Sequence, residues 1–150
     1  MLLISSDVCL YMDGRYFEEF VAEIYNLKGY SYELTNNTGD QGLDIILYKD
    51  DEKVGVQCKR FTGKVGNKAV QEAFAGKYFY ECDKAVVVTP STFTKSARDL
   101  ASKLQVTLVD KNELDSILSN LQEYLLNNFF KHEKITEILI NSSIDISMAT

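Results

Sequence analysis

Three residues near the middle of the chain have the types and the spacing to do chemistry at a phosphate. Asp44 opens the run "LDIILYK", and Gln57 and Lys59 stand two apart in "KVGVQCKRF". Both runs read as β-strands, and the turn-forming "DDE" between them makes the pair a hairpin. Side chains alternate along a strand, so Gln57 and Lys59 share one face while Val56 and Cys58 take the other. If the two strands pair, Asp44, Gln57 and Lys59 converge at one end of the sheet. A carboxylate and an amide oxygen can hold a hard, oxygen-seeking ion such as Mg²⁺. An ammonium close to that ion can orient a water or balance charge on a phosphate oxygen.

A fourth group comes from the first helix. Phe17, Phe20, Val21, Ile24 and Leu27 recur at helical spacing between Gly14 and Lys28, with Asp13 as cap and Gly29 as stop. At about 100° per residue, Glu18 falls on the flank of the apolar face beside Val21 and Tyr25, whereas Glu19 points to solvent. Glu18 can therefore reach the sheet edge near Asp44.

Each of these residues also has a plainer reading. Asp44 can be a strand-edge residue bonding loop amides, Gln57 and Lys59 the solvent face of an edge strand, and Glu18 a solvated flank. Asp40 in "TGDQG" reads as a turn former, and Gln71 as a surface amide. Ser91 and Thr92 read as helix caps rather than nucleophiles, since no base accompanies them.

The elements that must position these groups run α-β-β-β-α-β-α-β-α. After the first helix come strands at Tyr30–Leu34, Leu43–Lys49 and Lys53–Phe61. A helix follows at Val65–Tyr80 with Asn67 as its cap, then a strand at Lys84–Thr89. Pro90 and Ser91 open a helix through Leu104, and a strand covers Val106–Asp110. The last helix, from Asn112 to about Lys131, carries Leu114, Ile117, Leu118, Leu121, Leu125 and Phe129 on one face, as core or as a dimer seam. An early meander followed by helix crossovers implies an α/β fold, a mixed sheet with helices on both faces. Residues 1–131 form one domain in this reading, and 132–150 a loose or partner-packing tail.

Composition excludes several function classes. Cys9, Cys58 and Cys82 form no CxxC pair, and His132 is the only histidine. Structural zinc, a disulfide scaffold and His-dependent nucleophilic catalysis are thereby disfavoured, and a reducing cytoplasm is the expected setting. No apolar stretch is long enough for a membrane span. A net charge of −6 speaks against nucleic acid when taken alone. The distribution speaks otherwise: Lys53, Lys59, Arg60, Lys64 and Lys68 are the charged residues of 53–68, five positive and none negative, whereas 1–52 carry eleven acids.

The stretch "GRYFEEFVAEIYNLKGYSYELTNNTGDQGLDIILYKDDEKVGVQCKRF" resembles the catalytic domain of the Mrr-type restriction endonuclease family, within the PD-(D/E)xK nuclease superfamily. The matching pieces are Phe17–Glu18, Gly29–Tyr30, the run from Gly39 to Asp44, and Gln57-Cys58-Lys59. Downstream, "VQEAFAGK", "AVVVTPSTFTKSA" and "VTLVDKNEL" are similar to the family's later elements, so the resemblance spans roughly Gly14 to Leu114. It implies a restriction-endonuclease-like fold and Mg²⁺-dependent hydrolysis of DNA phosphodiesters, with Mn²⁺ as a possible substitute. Asp44 would be the main metal ligand, joined by Gln57, the backbone carbonyl of Cys58 and Glu18, with Lys59 as the catalytic lysine. Gln57 stands where most of the superfamily has an acid. Arg60, Lys64 and Lys68 would track neighbouring phosphates. Only about a dozen residues precede the first helix, where relatives often carry a recognition domain. Sequence choice would then come from a homodimer or a recognition subunit. A Holliday-junction-type resolvase and a non-catalytic nucleic-acid-binding or assembly subunit are the alternatives.

Overall fold

The computed structural model describes residues 5–35, 42–127 and 133–149. A short 3₁₀ helix, Ser6–Tyr11, precedes α1 (Gly14–Leu27). Then come β1 (Ser31–Leu34), β2 (Ile45–Lys49) and β3 (Glu52–Cys58), followed by α2 (Asn67–Phe79), β4 (Lys84–Val88), α3 (Lys95–Leu104) and β5 (Thr107–Val109). Two helices close the chain, α4 (Lys111–Asn127) and α5 (Glu133–Ala149). The five strands lie in sequence order β1-β2-β3-β4-β5. The β1–β2 and β2–β3 pairs are antiparallel, as a meander requires, and β3–β4 and β4–β5 are parallel, joined through α2 and α3.

Both sheet faces are buried, which is why the strands read as nearly continuous apolar runs. One face presents Ile45, Leu47, Val54, Val56, Val86 and Val88 to the 3₁₀ helix, α1, α4 and α5, with Phe17 and Phe20 fully buried there. Each such aromatic is worth about 1.5–3 kcal/mol of apolar burial. The other face presents Leu43, Ile46, Ala85 and Val87 to α2 and α3. Small residues on those helices, Ala69, Ala73, Ala97 and Ala101, let them approach the sheet closely. Among the described residues, no helix is long and apolar enough to cross a membrane.

Several local expectations are corrected. The stretch 133–149, expected as a loose or partner-packing tail, is helical, because Ile135, Ile138, Leu139 and Ser142 recur at helical spacing and are buried. Ile135, Ile138 and Leu139 belong to the same core as Phe17. The 3₁₀ turn was not expected either; its Val8 and Cys9 are buried beneath the same helices. The cap of α2 is Gly66 rather than Asn67, whose side chain makes no capping bond. Helix α3 starts at Lys95, capped by the Thr94 hydroxyl, which accepts from the Ala97 N–H at 3.0 Å. Ser91 and Thr92 are therefore not caps, and Pro90 opens a loop. Asp40, Phe129 and His132 lie outside the described residues.

Candidate active site

The site forms where β2 begins and β3 ends. The Ile45↔Val56 register sets Asp44 beside the last residues of β3. Its backbone is held from two sides: Asp44 N–H donates to the Val56 carbonyl at 2.8 Å, and Thr35 N–H donates to the Asp44 carbonyl at 2.9 Å. The Thr35 hydroxyl also donates to the Leu43 carbonyl at 2.7 Å. Strict alternation breaks here, for Leu43 and Ile45 face opposite cores. Gly55 permits this, since a Cβ there would lie 2.3 Å from Leu43 Cδ1. The Asp44 carboxylate thus turns to the strand end, where Oδ2 accepts the Cys58 N–H at 2.7 Å. A side chain has taken over the ladder bond just before β2 begins.

Glu18, on the flank of α1, faces Asp44 closely enough that each carboxyl shifts the titration of the other. Arg15 steadies it from the preceding turn, donating to Glu18 Oε2 at 3.1 Å and to the Thr35 carbonyl at 3.3 Å. The Glu18 side chain is only 12% exposed. Burial first, and then the Asp44 charge, push its pKa up to about 7, against the opposing pull of Arg15. Asp44 is also raised by burial, although the Cys58 N–H, Glu18 and Lys59 each lower it. Burial pushes the Cys58 thiol well above its usual range, with the Asp44 and Glu18 charges adding to the shift. Its backbone, rather than its sulfur, serves the site.

Gln57 and Lys59 do share a face, as alternation demands, and that face looks to α2. Both converge on Glu72: Gln57 Nε2 and Lys59 Nζ each donate to Glu72 Oε2 at 3.0 Å. Gln57 is buried, and Lys59 is close enough to lower the pKa of Asp44. The four expected residues therefore meet at one sheet end, in two linked groups: Glu18 with Asp44, and Gln57 with Lys59 through Glu72. Sequence reasoning missed Glu72 and considered its neighbour Gln71, which is exposed. The signal was present, because Glu72 lies three residues after Ala69 and four before Gly76, in the stripe that faces the sheet. Gly42 (φ +77°) packs its backbone on this turn of α2; a Cβ there would sit 2.1 Å from the Glu72 carbonyl oxygen. The loop leading to Asp44 is in this way docked onto the helix carrying Glu72.

Beside these groups lies a cleft of about 540 Å³, walled by Lys59, Arg60, Phe61, Lys64, Lys68 and Glu72 among others. Arg60 Nη1 donates to the Leu10 carbonyl at 3.4 Å, and Lys68 reaches Glu72 Oε1 at 3.9 Å. The basic run thus does border the site, on one wall. Among the described residues no three His, Cys, Asp or Glu side chains form a closed metal cage. An open pair of carboxylates suits a hard divalent cation, which can be held by one or two carboxylates while waters and substrate phosphates fill its other positions.

The chain resembles known restriction enzymes in sequence and fold. The chain is 32% identical over 107 residues to the type IV methyl-directed restriction enzyme EcoKMrr of Escherichia coli strain K12. That alignment takes in 65% of this chain and 35% of that protein, so the chain spans about a third of the length of this curated relative. Among solved structures, the DNA modification-dependent restriction endonuclease AspBHI matches with a TM-score of 0.68 at 17% identity, over 88% of this chain and 38% of that one. MspJI restriction endonuclease, solved in complex with a 27-mer oligonucleotide, matches with 0.60 at 20% identity, over 87% and 32%. A protein of unknown function, AF1548, matches with 0.61 at 15% identity, over 93% and 96%. These structural likenesses bear on the fold. Residues 9–118 match the Mrr_cat restriction endonuclease model, and the chain belongs to that family of restriction-endonuclease-like nucleases.

Proposed function

We propose that this chain is a Mg²⁺-dependent endonuclease that hydrolyses DNA phosphodiester bonds, with Mn²⁺ able to substitute. The observation that carries this reading is the nearly buried Glu18 carboxyl set against Asp44, whose carboxylate is held by the Cys58 N–H beside Lys59 and at the edge of a basic cleft. Two adjoining carboxylates resist ionising together in a desolvated site, and a divalent cation between them would relieve that repulsion. Asp44 and Glu18 would hold it, with the Cys58 carbonyl and the Gln57 amide oxygen as further donors. When bound, the ion supplies charge neutralisation at the phosphate and a water of lowered pKa.

The remaining work falls to the chain itself. The Cys58 N–H fixes the Asp44 carboxylate in one orientation. Lys59 carries three donors; with one engaged by Glu72, others are free to hold a water or neutralise a phosphate oxygen. Arg60, Lys64 and Lys68 bind the flanking phosphates. Such contacts position a duplex without reading its sequence, so sequence choice is assigned to a second copy of the chain or a recognition subunit. Three free cysteines accord with a cytoplasmic setting.

The test is incubation of the purified chain with plasmid, linear duplex, single-stranded and four-way-junction DNA, with Mg²⁺, Mn²⁺ or EDTA. Metal-dependent cutting that EDTA stops is expected. Strong preference for the junction would move the assignment to a resolvase. No cutting with either metal, together with no calorimetric signal for divalent binding, would overturn it in favour of a non-catalytic subunit.

A further inference from the structure

Phe61 belongs to neither core: its side chain is 55% exposed on the wall of the basic cleft, two residues beyond Lys59. The segment that carries it is pinned on both sides. Before it, Lys59 N–H donates to the Val88 carbonyl at 2.8 Å and Arg60 bonds the Leu10 carbonyl. After it, the Ser91 hydroxyl donates to the Gly63 carbonyl at 2.6 Å. Val65 N–H donates to the Thr92 carbonyl at 2.8 Å, and Thr94 N–H to the Val65 carbonyl at 2.9 Å. The ring itself lies against Gly63, where a Cβ would come within 3.0 Å of Phe61 Cε1. An exposed aromatic held by a braced loop loses little freedom on binding a flat partner.

We propose that Phe61 is a stacking platform for an unpaired base adjoining the phosphate at Lys59, so that the cleft selects DNA with locally unpaired bases. This rests on the nucleic-acid reading of the cleft given above. Lys59 and Phe61 are two residues apart, so their Cα atoms lie within about 7 Å of each other, and the ring and the Lys59 ammonium can serve one nucleotide and its immediate neighbour. Lys64 and Lys68 on the same cleft wall supply the charge for the backbone, and the ring supplies a π-face for the base. That combination of cationic groove and aromatic platform is the one used for single strands. In a paired duplex both faces of each base are covered by its neighbours, so the ring finds a partner only where pairing is broken.

The experiment is fluorescence anisotropy in EDTA, where no strand is cut. The probes are a labelled single strand and the same strand fully paired. Phe61→Ala is expected to weaken single-strand binding roughly tenfold or more and paired-duplex binding by less than about twofold. Phe61→Trp restores single-strand binding, whereas Phe61→Leu, apolar but without a π-face, does not. Equal losses on both probes, or none on either, overturn the stacking role if Lys64→Glu still weakens both. If Lys64→Glu alters neither, the nucleic-acid reading of the cleft fails first, and this inference with it.

Discussion

Two clefts of similar size lie at opposite ends of the sheet and carry opposite charge. The one beside Cys58 holds about 540 Å³ and is walled by Lys59, Arg60, Lys64 and Lys68, with Glu72 the one acid among its lining residues. The other, at the β2–β3 turn, holds about 490 Å³ and is lined by Asp50, Asp51, Glu52 and Asp83, with Lys49 the one base. Concavity does not tell them apart. Their acids do. At the turn, Asp83 accepts the Lys53 N–H at 2.8 Å and Glu52 pairs with Lys84 at 3.0 Å, both at the surface. At the site, Glu18 and Asp44 are desolvated against each other, and Glu18 rises to about 7. Acids with their own local partners shape a turn, and acids forced together by the fold repel each other when both are ionised. The overall pI near 4.8 averages over both ends and hides this division.

The sharpest way to break the comparison is to make the same substitution at each end. Asp44→Asn keeps an oxygen for the Cys58 N–H but removes the charge. It is expected to cut Mg²⁺-dependent plasmid cleavage by about 10³-fold, several kcal/mol of transition-state stabilisation. Lys59→Ala should cost about 10²-fold or more. Asp50→Asn at the far cleft should leave the rate within about twofold, as expected for a surface site away from the chemistry. Equal losses at both ends would remove the distinction between the two clefts.

A smaller effect separates positioning from binding. Glu72 holds Lys59 and Gln57 but also places a negative charge in the basic cleft. Glu72→Gln should lower kcat about tenfold, a usual cost for a residue that orients another. It should also tighten duplex binding by about two- to threefold, because a repulsive charge is gone. A merely structural lesion would not tighten binding, so the split in kcat and Kd is the readout. Lys64→Ala, with no role in orienting, should instead weaken binding alike on all duplex sequences and reduce the salt slope by about one.

The sequence carried the sheet and most of the site, and particular residues show why. Gln57, Lys59 and Glu18 were legible because strand alternation and a helical wheel are local rules that held there; alternation breaks at Asp44, which the β2–β3 register nonetheless sets beside them. Glu72 was not, since its role depends on how closely α2 docks, which Ala69, Gly76 and Gly42 set together across distant segments. Helix α5 was passed over although Ile135, Ile138 and Leu139 follow the period, because "NSSIDISMAT" reads as polar and small at its end. The helix-opening role given to Pro90 and Ser91 failed for a similar reason. Ser91 is a good cap in isolation, but its hydroxyl is spent on Gly63 in another segment, and Thr94 takes the cap.

The smallest predicted effect concerns stability rather than rate, and it probes the buried acid pair directly. In metal-free protein the Glu18 carboxyl is raised from 4.5 to about 7, so the fold favours its protonated form. That contribution is fully present below about pH 4.5 and is lost as pH rises through 7. Glu18→Gln stays neutral throughout and escapes the loss. In EDTA at pH 8 it should therefore melt about 2–4 °C above the wild-type chain, corresponding to roughly 1 kcal/mol at this size. The gap should close at pH 5. Added Mg²⁺ should raise the wild-type melting temperature at pH 8 and leave Glu18→Gln nearly unmoved, because the substitution removes one of the two carboxylates that would hold the ion. Asp51→Asn, on the exposed turn of the other cleft, should shift neither curve by more than about a degree. A wild-type chain that melts at the same temperature as Glu18→Gln at both pH values would mean that the two carboxyls are not pressed together, and the contrast between the two ends of the sheet would then reduce to charge count alone.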